Sequence, residues 1–377
     1  MKKTTYWFLV TLWSLGLAQG VSAQGLLISN ARVIVGNGEV LDSANLLILG
    51  GRIIELSEET IPDTQDVPVI DAQGLTALPG FIDSHRDVIQ GDPDAWLRDA
   101  EQRMREYLEL GITTVLSVDH EIEHILQLRD LLEAREIEGP RIVVSGLVPL
   151  VGDDGAPVDA VDVREAVQEH AYAGADAIAS VVVSTEGGSA QAALSAARDE
   201  ADNQGLMTVT HIESVPDLVA AVDGGSGYLT GTPHIGHLDE ATARRIVETG
   251  QYNAEYGLVM TSALGAPLNA GSGPANARLL HDVGIHYGFG TGTSLAPNEA
   301  LRHELNTLEA VFSNDEIIGT LTLQGGYATR RDDALGTLRV GKIADVVIVD
   351  GDPLAELDDL YNVIAVVRSG RLVIDHR

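Results

Sequence analysis

The stretch "ALPGFIDSHRD", residues 77–87, decides how the rest of the chain is read. A Pro-Gly turn opens it, an apolar run follows, and it ends in His85, Arg86 and Asp87. Side chains alternate faces along a strand, so His85 and Asp87 are expected on one face and Arg86 on the other. A histidine and an aspartate at the mouth of a strand can share one metal ion. Such a pair needs a fold that gathers other strand ends around it.

Working outward, residues 77–333 alternate short apolar runs with amphipathic stretches. The strands are expected at Phe81–Ser84, Ile112–Ser117, Arg141–Gly146, Ala177–Val182, Leu206–His211, Gly227–Thr232, Leu258–Thr261 and Ile285–Gly290. Between the first two, "DAWLRDAEQRMREYLEL" puts Trp96, Ala100, Met104, Tyr107 and Leu108 on one helical face. Eight strand–helix units of this size predict an α/β fold, a (β/α)8 TIM-type barrel. The two chain ends have a different texture. "LLISNARVIVG", "ANLLILG", "RIIELS" and "PVIDAQG" are short β runs punctuated by Gly, Asn and Asp, and "GKIADVVIVDG", "NVIAVVRSG" and "RLVIDH" repeat the pattern. Residues 24–76 and 334–377 are therefore expected to build one small β-sandwich from both termini.

Residues 1–23 carry a secretory signal pattern: Lys2 and Lys3, an apolar run from Tyr6 to Leu17, then Val21-Ser22-Ala23. The run is shorter than the ~20 residues a membrane span needs, so cleavage after Ala23 and a periplasmic or secreted protein are expected. The chain has no cysteine, which excludes thiolate catalysis and thiolate metal ligation. The formal charge is −32; without Lys2 and Lys3 it is −34, from 22 basic and 56 acidic residues. Such a surface repels nucleic acid and anionic lipid, so neither is expected as a partner.

In a barrel of this kind the chemistry sits at the C-terminal ends of the strands. Those ends carry His85 and Asp87 on strand one, Asp119 and His120 after strand two, and Asp153-Asp154-Gly155 after strand three. Ala179 lies on strand four, His211 and Glu213 at strand five, His234 and His237 after strand six, and Gly292 after strand eight. Most lone histidines are ordinary hydrogen-bonded residues, and His120, His237, His281, His286 and His303 are read that way. His124 and His170 are read as solvated helix residues, and Asp153-Asp154-Gly155 as a turn. His85, His211 and His234 differ, because a barrel converges strands one, five and six; three N or O ligands plus water make an open zinc-type site.

These segments resemble the metal-dependent amidohydrolase superfamily, in its imidazolonepropionase-like and Xaa-Pro dipeptidase-like branch. "LPGFIDSH" is similar to the family's strand-one signature, "GITTVLSV" to strand two, "GPRIVVSG" to strand three, "GADAIASV" to strand four and "VTHIES" to strand five. "HIGHLDE" resembles the segment after strand six, and "ALGTLRVGKIADVVIVDGDPL" the return into the terminal sheet. The resemblance implies a metal site of a His-x-His pair, a carboxylated lysine on strand four, histidines on strands five and six, and a strand-eight aspartate that takes the proton from water. It implies hydrolysis of a C–N bond in a small amide or dipeptide.

Carried over by position, His85, His211 and His234 match, Asp87 replaces a histidine, and Ala179 and Gly292 stand where lysine and aspartate are implied. A binuclear centre is then not expected. One divalent metal, zinc first, would be held by His85, Asp87, His211 and His234, with His234, Asp119 or Glu213 as the catalytic candidates. Two readings stay open: a metal-dependent hydrolase of reduced power, or a non-catalytic relative that binds a small ligand or serves an active relative as partner subunit. Homo-oligomerisation is open on either reading.

Overall fold

The computed structural model describes residues 25–62, 66–118, 122–181, 189–249, 257–265, 271–292 and 295–377. The expected signal peptide, Asp119 and His120 lie outside them. The barrel strands are all parallel and neighbour one another in chain order. Five strands precede them: β1 Gly25–Ile34, β2 Val40–Leu49, β3 Arg52–Ser57, β4 Val69–Asp71 and β5 Thr76–Pro79. The barrel then runs β6 Phe81–Arg86, β7 Ile112–Ser117, β8 Arg141–Leu147, β9 Ala177–Val181, β10 Met207–His211, β11 Tyr228–Thr230, β12 Val259–Thr261 and β13 His286–Gly288. Each of the eight expected strands is present. Backbone bonds close the ring: Ser84 N–H donates to Phe289 O at 2.7 Å, and Gly292 N–H to His85 O at 2.8 Å.

Strand alternation divides the core. Leu116, Val143, Ala177, Met207 and Val209 pack together in the barrel interior. Ile142, Val144 and Ile178 belong to the cluster formed with the surrounding helices. Fully burying one such side chain is worth about 1.5–3 kcal/mol, so the two layers supply most of the drive to close the ring.

The helical segment after β6 is broken into two pieces, Pro93–Arg98 and Ala100–Glu109. Asp92 caps the first through Ala95 N–H at 2.8 Å, and Asp99 leaves helical backbone values at φ −105°, ψ 11°. An aspartate is a weak helix former, so the break falls there. All five residues of the expected apolar face are buried nonetheless.

Three strands follow the barrel: β14 Val346–Val349, β15 Val363–Arg368 and β16 Arg371–Asp375. They join the first strands in one sheet, ordered β16-β15-β14-β5-β1-β2-β3, with β4 beside β1. The joint is the antiparallel pairing of β14 with β5, Val347 opposite Leu78. Alternation again sorts the residues. Val346, Ile348, Ala365 and Val367 pack with Ile28, Leu46 and Ile48 inside the sheet's own core. Leu78, Val347, Val349 and Val366 join the barrel-side core. β5 is followed by β6 after the single residue Gly80, so the terminal sheet fixes where strand one enters the barrel.

Candidate functional site

Strand one carries Asp83, His85 and Arg86. Asp83 is fully buried and accepts from Thr291 Oγ1 at 2.8 Å, Thr291 N–H at 3.1 Å and His85 N–H at 3.2 Å. Burial pushes its pKa up, against the pull of the Arg86 guanidinium and those hydrogen bonds. Asp83 thereby ties strand one to the exit of strand eight. Nothing in the sequence reading singled it out; the signal was a carboxylate inside an otherwise apolar run.

His85 is 8% exposed. Its ring stands edge-on to that of His211, with centroids 5.6 Å apart. Burial, then His211, then Arg86 press its pKa down to about 3, so the imidazole is neutral at ordinary pH. Its Nδ1 is buried and has no hydrogen-bond partner among the described residues. Arg86 points into the wall. Its Nε–H donates to Tyr107 Oη at 3.1 Å, one terminal nitrogen to Thr291 Oγ1 at 3.3 Å, and the other to Leu295 O.

Asp87 lies just past the end of strand one. The β6–β7 pairing shifts register between Asp83 and Arg86, and the strand ends at Arg86. Asp87 is therefore half-buried just beyond the strand, and alternation does not govern it. Its carboxylate is close enough to His211 to favour the charged imidazole.

His211 ends β10 with a side chain one-third exposed, 33%. Its Nε2 is 3.8 Å from Glu213 Oε1, and its Nδ1 is 3.4 Å from Thr230 Oγ1. Burial lowers its pKa, with Glu213 and Asp87 opposing. Glu213 is largely exposed, but its backbone carbonyl accepts His234 N–H at 2.9 Å and so joins the exits of strands five and six. His234 is half-buried, and among the described residues its ring makes no hydrogen bond, ion pair or ring contact.

Ala179 is buried in β9, in register with Val209 and Leu147. Gly292 is more than a missing donor. It has φ +52°, a left-handed value, and a Cβ there would lie 3.0 Å from Ala263 Cβ and 3.2 Å from His85 Nδ1. A side chain there presses on Ala263 and on the His85 ring, which would have to give by a few tenths of an ångström.

One further carboxylate was not foreseen. Glu304, on the helix Pro297–Leu308, is 1% exposed and accepts Gly265 N–H at 2.6 Å and Leu264 N–H at 3.0 Å. It thus holds the loop after strand seven, whose Ala263 abuts Gly292. Burial pushes its pKa up to about 7, against those bonds and one from Ser262, with Asp83 adding to the rise.

Other expectations resolve simply. Asp153, Asp154 and Gly155 form a turn closed by Gly152 N–H to Ala156 O at 2.8 Å. His170 is not solvated: its ring fills the space left by Gly146, and its Nε2 is 3.0 Å from Leu147 O. His286 packs on Tyr327, and His281 on Phe312.

Among the described residues, no three His, Asp or Glu side chains converge in a set able to hold a metal ion. His85 and His211 are neutral nitrogen donors side by side. Among the described residues no third donor joins them.

The sequence profile of the amidohydrolase family matches residues 76–373, and the chain belongs to that family. The imidazolonepropionase of Geobacillus sp. (strain WCH70) is 21% identical over 405 residues, covering 90% of this chain and 91% of its own. That of Micrococcus luteus is 25% identical, covering 83% of this chain and 89% of its own. A solved amidohydrolase structure superposes with a TM-score of 0.78 at 25% identity, over 93% of this chain and 99% of its own. A Xaa-Pro dipeptidase with methionine bound in its active site gives 0.80 at 20% identity, over 92% and 99%, and shows the shared fold.

Proposed function

We propose that this chain binds a small amide- or dipeptide-like molecule in its barrel mouth and has lost most or all of the family's hydrolytic power. The observation that carries the reading is Gly292. A glycine stands where the resemblance implies the aspartate that takes a proton from water, and at its positive φ any side chain is strained and presses on Ala263 and the His85 ring. A positioned base contributes roughly 10²–10⁴-fold, so its loss alone removes most of the rate. Glu213 and Asp119 are the remaining candidates for a base. Glu213 is 60% exposed at 3.8 Å from His211, which keeps its carboxylate in water rather than over a reacting bond.

The test is turnover by the purified chain on a panel of small amides and dipeptides, with binding followed in parallel. Saturable binding with turnover at the buffer background supports the reading. Turnover well above background that disappears in His211→Ala overturns it.

The buried, unpartnered Nδ1 of His85 favours a second reading, a mononuclear hydrolase. Its ion, zinc by preference, would draw on His85 and His211, with Asp87 and His234 completing the set. When bound, such an ion supplies Lewis acidity. About one metal per chain by elemental mass spectrometry, lost in His85→Ala, supports this reading. Export also belongs here as a proposal, carried by residues 1–23; N-terminal sequencing of the protein recovered outside the cytoplasm tests it.

A further inference from the structure

We infer that a second ligand site, for a small carboxylate- or phosphate-bearing anion, lies outside the barrel mouth, in a trough between the helices Ala100–Glu109 and Pro297–Leu308. Two cavities meet there, of about 250 and 350 Å³, sharing Glu106, Ala296 and Pro297 in their walls. Together they reach the size of ordinary small-molecule sites.

The charge of the trough runs against that of the protein. The chain has 24 basic and 56 acidic residues, yet three arginines line these two cavities. Arg86 is 2% exposed and reaches one wall, where its N–H groups are already given to Tyr107, Thr291 and Leu295 and its charge faces Asp83, so the ligand contacts fall to Arg103 and Arg302. Arg103 stacks over Trp96, 5.5 Å from the ring centroid, and among the described residues makes no ion pair or side-chain hydrogen bond. Arg302 lies 3.9 Å above the ring of Tyr361 in the adjoining cavity.

Glu109 is already bonded by Arg105 at 3.1 Å, which leaves Glu106 as the acid between the arginines. Arg302 Nε–H donates to Asn298 Oδ1 at 3.2 Å, which leaves its terminal N–H groups, with those of Arg103, for a ligand. A guanidinium seated over an aromatic ring loses little freedom on gripping an oxyanion. The amino end of the helix Pro297–Leu308 meets the same cavities, and its cap residue Ala296 gives no side-chain bond, which adds to the positive potential. The arginines and the cavities carry the inference; the helix end only reinforces their sign.

Isothermal titration calorimetry of the full chain at low ionic strength, with citrate and with inorganic phosphate as separate probes, tests it. Saturable binding of either probe is expected, and the preferred probe separates a carboxylate ligand from a phosphate one. Arg103→Ala with Arg302→Ala should weaken binding at least about tenfold, since charged hydrogen bonds are removed. Glu106→Gln should tighten it, an effect that mere damage to folding does not produce. His211→Ala should leave it unchanged, so this inference and the reading of the barrel mouth fail separately. No binding of either probe, or binding that is indifferent to the arginine and Glu106 changes, or binding abolished by His211→Ala, overturns the assignment.

Discussion

Glu304 makes the stability of this chain depend on pH in a way that one substitution isolates. Its carboxyl is pushed up to about 7 in the fold, from an ordinary 4.5. A proton is therefore held more tightly by the folded chain than by the unfolded one. Stability from this group is fully present below about 4.5, falls as pH rises through about 7, and is level above that. The shift corresponds to about 3 kcal/mol at roughly 1.4 kcal/mol per unit, an order-of-magnitude figure for a fully buried group. The whole chain also feels its growing negative charge, so the wild-type curve alone mixes several effects. Glu304→Gln removes this titration while keeping size and one acceptor. It leaves either Leu264 N–H or Gly265 N–H without its partner, a constant offset of about 1–3 kcal/mol. Urea unfolding can be followed by fluorescence of Trp96, 3% exposed and the one tryptophan after residue 23. Measured at several pH values from 4.5 to 8, the advantage of wild type over Glu304→Gln should shrink by about 3 kcal/mol as pH rises. A difference that stays flat across that range refutes the account of Glu304 as a buried, proton-holding clamp.

Other perturbations follow from single contacts. Gly292→Ala should lower stability by about 1–3 kcal/mol, because a Cβ is strained at φ +52° and meets Ala263 and the His85 ring; an unchanged urea midpoint would contradict this. Gly292→Asp, which supplies the implied carboxylate, should still give no amide hydrolysis in a turnover assay. Gly146→Ala would set a Cβ 2.3 Å from the His170 ring and should cost about 1–3 kcal/mol, with part recovered in the double variant with His170→Ala. In proton NMR, the His85 imidazole should show no titration between pH 5 and 8, since its pKa is pressed to about 3. A His85 midpoint near the ordinary 6.5 would show that the ring is solvated.

The barrel was legible because its signals are local and repeated. Each strand is a short apolar run with its own turn chemistry, and eight of them at regular intervals leave few folds to consider. His85 and His211 were legible for the same reason, since both close an apolar run and the barrel does the convergence. Asp87 lies one residue past β6, after a register shift set by pairing with β7, so no pattern within residues 81–87 fixes its direction, although its charge does act on His211. The arginine trough draws on residues from four separate segments and has no sequence pattern at all. Glu304 did leave a trace: it sits on the buried face with Ala300, Leu301, Leu305 and Leu308, where a charge needs partners.

Asp83 and Glu304 also bear on why such a barrel can keep its shape while its mouth changes. Asp83 fastens strand one to Thr291 at the exit of strand eight. Glu304 fastens the loop after strand seven to the helix that follows strand eight. Neither clamp runs through Ala179 or Gly292. The clamps thus do not depend on the side chains at Ala179 and Gly292, although the backbones of Gly292 and His85 are part of the rim, Gly292 N–H donating to His85 O at 2.8 Å and His85 N–H to Asp83 at 3.2 Å. An alanine or glycine side chain there takes away no bond that Asp83 or Glu304 supplies. That independence explains why strand signatures survive in full where two of the implied site residues do not, and it directs repair experiments away from Gly292. Glu213, 60% exposed and 3.8 Å from the His211 ring, marks a side of the mouth where a side chain reaches both water and the histidine pair.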